Sequence, residues 1–98
     1  MTILKTKNGN SLTIALEGRL DTTTAPQLEA ELDSALDGVE TLEFDLEKLA
    51  YISSAGLRVL LKAQKLMNKR GGLTIRGANE DLMDIFEVTG FVDILNIA

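Results

Sequence analysis

Apolar residues change their spacing several times along the chain, and each change marks an element. Between Ser11 and Glu17 they alternate, with Leu12, Ile14 and Leu16 on one side and Ser11, Thr13, Ala15 and Glu17 on the other. That period of two is the pattern of a half-buried strand. Upstream, Thr2 to Lys7 carries Ile3 and Leu4 and predicts a shorter strand. The pair Asn8-Gly9 tolerates the positive φ angles of a tight hairpin turn, so these two strands are expected to be antiparallel. Gly18 to Thr24 then reads as a loop. Thr24, Pro26 and Gln27 have the spacing of a capping box with a proline in the first turn. Leu28, Leu32, Ala35 and Leu36 recur on one face of the helix this predicts, and Gly38 supplies its stop. Alternation returns from Thr41 to Leu46, placing Leu42, Phe44 and Leu46 together. A strand, helix, strand order implies a parallel crossover.

The chain is organised around Leu49 to Lys69. Here the apolar spacing passes from alternating to helical at Ser53-Ser54, so both serines sit at a helix start. Val59, Leu60, Ala63, Leu66 and Met67 are expected to face the sheet, with Leu57 and Leu61 on a more mixed face beside Gln64 and Asn68. Gly71-Gly72 ends this helix, Leu73 to Arg76 predicts a further parallel strand, and Asn79 caps a last helix whose apolar face is Leu82, Ile85 and Phe86. After Gly90, Phe91 to Ala98 packs as a short strand or an extended segment. The sum is an α/β domain spanning residues 1–98, with a mixed sheet of four to five strands and three main helices. Its first hairpin is antiparallel and its later strands are parallel.

Composition narrows the chemistry. With 98 residues and 45% hydrophobic content, one core is expected, burying about 60 to 70% of the unfolded surface. The absence of Cys excludes disulfides and thiolate metal sites, which suits a reducing compartment. The opening Met1 to Lys7 lacks the apolar region of a secretory signal, and no apolar run approaches the roughly 20 residues needed to cross a bilayer. The expectation is a cytoplasmic protein without membrane insertion. The absence of His removes the commonest general base and argues against a Ser-His-Asp or Cys-His hydrolase, so no enzyme activity and no cofactor or metal are expected. A formal net charge of −5 makes direct nucleic-acid binding improbable and a protein partner the better fit.

The C-terminal ends of parallel strands form the edge where ligands and partners bind in such folds. Three loops are expected to converge there: Asp21 to Thr24, Ser53 to Gly56, and Gly77 to Asn79. Each candidate has two readings. Ser53 or Ser54 serves as an ordinary helix cap, or displays a hydroxyl where free amides and the helix dipole favour an anion. Asp21 closes a local turn by bonding nearby backbone, or contacts a partner together with Thr22 and Thr23, or a metal held by that partner. Gly56 permits a close approach at the helix start. Arg58, Lys62, Lys65 and Lys69 fall within roughly 60° of one another at about 100° per residue. They form a solvated basic face or, with Leu57 and Leu61 partly exposed beside them, a docking surface.

These residues carry a family resemblance. Phe44-Asp45-Leu46 followed by Tyr51-Ile52-Ser53-Ser54-Ala55-Gly56-Leu57 resembles the signature of STAS domains, and specifically of single-domain bacterial anti-sigma factor antagonists. Gly18-Arg19-Leu20-Asp21 and Glu87-Val88-Thr89-Gly90-Phe91 are similar to two further family stretches. The resemblance implies a partner switch. The unmodified domain binds an anti-sigma factor that is also an ATP-dependent serine kinase, the kinase phosphorylates the second residue of the helix-start motif, and a serine phosphatase restores the hydroxyl. That position here is Ser54, with Ser53 the second choice, and Asp21 falls at the partner surface. The best-known form has Asp before the modified serine and Ser after it, where this chain has Ser53 and Ala55. Two alternatives stand beside this reading: a sensor holding a small anion or nucleotide on the Ser53 to Gly56 amides, and an interaction subunit of a membrane transport complex.

Overall fold

The computed structural model describes residues 1–98. Four strands and three helices follow one another as β1 (Thr2–Asn8), β2 (Ser11–Leu20), α1 (Ala25–Ala35), β3 (Thr41–Ile52), α2 (Ser54–Asn68), β4 (Leu73–Arg76) and α3 (Glu80–Thr89), with a 3-10 turn at Phe91–Asp93. The strands lie in the order β1-β2-β3-β4. β1 pairs antiparallel with β2, and β3 runs parallel to both β2 and β4. The expected mixed sheet is therefore present with four strands. The tail adds a single parallel bridge between Ile97 and Ile75 in place of a fifth strand.

One face of the sheet is apolar because the alternating positions of each strand agree in register. Ile14 pairs with Phe44, and Phe44 with Ile75. All three are fully buried, in one cluster with Leu28 and Leu32 of α1, Leu60 and Ala63 of α2, and Leu82 and Phe86 of α3. Burying each such Leu, Ile or Phe contributes about 1.5–3 kcal/mol, so this cluster dominates the stability. Arg70, just past α2, donates from one guanidinium nitrogen to the carbonyls of Leu36 and Val39, tying the end of α2 to the α1–β3 connection.

Several local expectations are corrected. The hairpin loop is Gly9-Asn10, one residue later than Asn8-Gly9, because Asn8 still pairs with Ser11. Gly9 has φ +62° while Asn10 does not have a positive φ, so the glycine occupies the first central position, where a left-handed residue is needed. Thr24 does not cap α1: it lies in the helical region and its side chain bonds no helix amide. Its hydroxyl instead accepts from the Asp21 amide and donates to the Arg19 carbonyl. Asn79 does cap α3, accepting from the Leu82 amide at 2.9 Å.

The largest difference is strand length. β2 was expected to stop at Glu17 and β3 at Leu46, yet they run to Leu20 and Ile52. The register slips between Ala15 and Glu17 and again between Gly18 and Arg19, each time with an extra residue on β3. Buried positions on β3 accordingly change from Leu42, Phe44 and Leu46 to Leu49 and Ile52, a spacing of three that conceals the strand from a period-two search.

Candidate functional site

The extended strands build the site. Leu20 and Ile52 end β2 and β3 as a register pair, and the Ser53 amide donates to the Leu20 carbonyl at 2.8 Å. The loop that begins with Asp21 and the helix that begins with Ser54 therefore leave the sheet side by side. Gly56 completes the joint, since a Cβ there would lie 2.6 Å from Leu20 Cγ and 3.0 Å from the Leu20 carbonyl oxygen. This is the close approach that the glycine was expected to permit.

The two serines divide the available roles. Ser53 has extended backbone geometry and caps α2, its Oγ accepting from the Gly56 amide at 3.4 Å. Ser54 is the first helical residue and is exposed. No acidic side chain occupies the first turn of α2, whereas α3 has Glu80 and Asp81 there. The positive end of the α2 dipole is thus left without a local carboxylate to offset it.

Asp21 closes its own turn. One carboxylate oxygen accepts from the Thr23 and Thr24 amides at 3.0 and 3.1 Å, and the Arg19 guanidinium stands 3.9 Å from the other. The Thr24 amide, ahead of the Thr24 hydroxyl, the Thr23 amide and Arg19, holds the carboxyl below the ordinary aspartate range. Asp21 thereby presents a fixed negative charge at the edge where Ser54 is displayed. Thr22 and Thr23, in the same turn, are exposed.

Arg58 is exposed, and its Nε approaches the Ser54 carbonyl at 3.5 Å. It lines an open groove of about 310 Å3 with Thr22, Pro26, Glu29, Ala55 and Lys62. Further along α2, Arg58, Leu61, Lys62, Lys65, Leu66 and Lys69 border a groove of about 670 Å3. The basic stripe therefore exists as a surface. Lys62 is committed within it: its ammonium lies 3.3 Å from Asp33 and 3.5 Å from Glu29, which raise its pKa.

Two expectations about this face are corrected. Leu57, expected to be partly exposed for docking, is only 5% exposed, while Leu66, expected against the sheet, is 39% exposed. The two go together, because nine residues at about 100° each put Leu57 and Leu66 on opposite faces of the helix, so burying one exposes the other. Gln64 is likewise buried, donating to Asn68 and leaving its Oε1 without a partner. Gly56 is buried as well, so neither Gly56 nor Leu57 forms part of the accessible surface, whereas Leu61 and Lys62 are partly exposed.

The third loop does not join the other two. β4 ends at Arg76, opposite Asp45, and Asn79 donates to the Leu49 carbonyl. That is three residues short of Ile52, or about 10 Å at the usual strand rise. Arg19 and Tyr51 occupy part of the edge instead. They are register partners, with the guanidinium 4.5 Å from the ring centroid of a 37% exposed Tyr51. Sequence reasoning gave neither residue a role, because the pairing depends on the slipped register.

A family model described as Mlab, STAS domain, matches residues 3–96. BtrV of Bordetella bronchiseptica, a candidate anti-sigma factor antagonist, is 38% identical over 100 aligned residues covering 100% of this chain and 86% of the relative. The anti-sigma-B factor antagonist of Bacillus subtilis is 30% identical over 93 residues, covering 94% and 85%. A solved anti-sigma factor antagonist from Mycobacterium paratuberculosis shares the fold with a TM-score of 0.88 at 22% identity, over 98% of this chain and 83% of that one. Matched over nearly its whole length, the chain belongs to the STAS domain family.

Proposed function

We propose that this chain, acting as one domain, is an anti-sigma factor antagonist that works by partner switching and carries out no reaction of its own. With Ser54 as a free hydroxyl, the edge made by Asp21 to Thr23 and the outer surface of α2 from Ser53 to Lys62 docks an anti-sigma factor. A serine kinase activity in that partner phosphorylates Ser54 and ends the contact, and a serine phosphatase restores it. The single observation carrying this reading is the placement of Ser54: exposed, first in α2, beside the Asp21 turn, with Ser53 performing the cap.

The chemistry is sufficient for a switch. Phosphorylation adds about −1.5 to −2 charge and three acceptor oxygens. The helix end tolerates that charge, but a docked partner must desolvate it beside the fixed charge of Asp21. A loss of about 3 kcal/mol weakens binding by more than 100-fold, with no refolding required.

Calorimetry with the cognate anti-sigma factor tests the proposal. Ser54→Ala is expected to bind like the parent and Ser54→Asp at least about 100-fold more weakly. Incubation with partner and ATP, followed by peptide mass spectrometry, is expected to place one phosphate on Ser54 and none on Ser53. A Ser54→Asp variant that binds as tightly as the parent would overturn the reading, as would a partner that phosphorylates another substrate while leaving this chain unmodified.

A further inference from the structure

Resting on the reading of Ser54 as the modified residue, we infer that Arg58 receives the phosphate, so that modification both adds charge and engages the one uncommitted cation of the adjacent groove. Residues four apart on a helix are surface neighbours, and long helical side chains lean back toward the N-terminus. Arg58 follows that rule here, with its Nε 3.5 Å from the carbonyl of Ser54 itself. The groove beside it holds two cations, Arg58 and Lys62. Lys62 already lies between Glu29 and Asp33, while Arg58 has no carboxylate within ion-pair distance. A planar guanidinium matches phosphate oxygens in a way that a lysine ammonium does not.

The charges facing the phosphate come from several elements. Arg58 and Lys62 on α2, together with the first amides of that helix, favour the dianion. Asp21 of the β2–α1 loop and Glu29 of α1 oppose it, and Arg19 is partly occupied by Asp21 and the Tyr51 ring. Arg58 therefore decides the balance. Before modification its guanidinium is available to an acidic group of a docked partner. Afterwards it is held by the chain's own phosphate.

The test installs phosphoserine at position 54 during translation and follows the second ionisation of the phosphate by 31P NMR. In the parent the second pKa is expected below the ordinary value of about 6. It should rise by roughly half a unit in Arg58→Gln, the scale of an exposed ion pair, and return most of the way in Arg58→Lys. Lys65→Gln, on the same stripe two turns further on, should leave it unchanged. Identical titration of the parent and Arg58→Gln overturns the inference, and so does an equal shift in Lys65→Gln, which would mark a diffuse field. Because the phosphate is placed without a kinase, these outcomes are independent of whether a partner selects Ser54. A kinase that ignores Ser54 would remove the proposed function and leave the pairing standing.

Discussion

Replacing Gly56 with Ala sets two effects against each other, and the structure decides which wins. Alanine is the better helix former by up to about 1 kcal/mol, so propensity alone predicts a more stable protein. The added Cβ, however, would lie 2.6 Å from Leu20 Cγ and 3.0 Å from both Leu20 Cδ2 and the Leu20 carbonyl oxygen. Leu20 is fully buried, and its carbonyl is held by the Ser53 amide at 2.8 Å, so neither can move without disturbing the joint. Overpacking a closed core costs about 1–3 kcal/mol, and contacts this short with a branch carbon and a backbone oxygen put the cost in the upper part of that range, about 2–3 kcal/mol, so the net loss after the helix gain is about 1–2 kcal/mol. For a domain of this size that is a fall in Tm of about 5–15 °C. Urea and thermal unfolding monitored by circular dichroism would measure it. Hydrogen exchange of the Ser53 amide should also quicken, because displacement of Leu20 loosens the bond that joins the two segments of the edge. A Gly56→Ala protein as stable as the parent, or more so, would show that the close approach does not constrain the site.

Two further outcomes separate the roles of neighbouring groups. Ser53→Ala removes the α2 cap and should cost about 1 kcal/mol, whereas Ser54→Ala at an exposed position should stay within about 0.5 kcal/mol of the parent; equal losses in urea unfolding would contradict the division of labour. The Asp21 carboxyl is held low by the Thr24 and Thr23 groups and Arg19, so its contribution is fully present above its unfolded pKa of about 3.9 and is lost as pH falls through the lower folded value. Asp21→Asn should therefore be less stable than the parent at pH 7, with the gap closing below about pH 4. A gap that is the same at pH 7 and pH 2.5 would show that the charge is not what holds the turn.

The local sequence determined the elements whose signals are themselves local. Alternation placed the early parts of β2 and β3, helical spacing placed α2 and α3, and Asn79 marked a real cap. It also placed Ser53 and Ser54 at a helix start, and the order of elements implied the mixed sheet, but the spacing could not divide the two serines into cap and display. That division depends on where β3 ends, and β3 ends at Ile52 because two extra residues on it are absorbed by slips against β2. A bulge is a property of a pair of strands: the partner's backbone decides which residues lie opposite each other, so no pattern within one strand reveals it. The same slips bring Arg19 over Tyr51, carry Asp21 to the side of Ser54, and leave the Asn79 loop against Leu49. The start of α2 also lies against Leu20 at Gly56, and along that helix Leu57 is buried while Leu66 is exposed. The period of the chain could say that an apolar face exists, but only packing between elements could say which residues it covers.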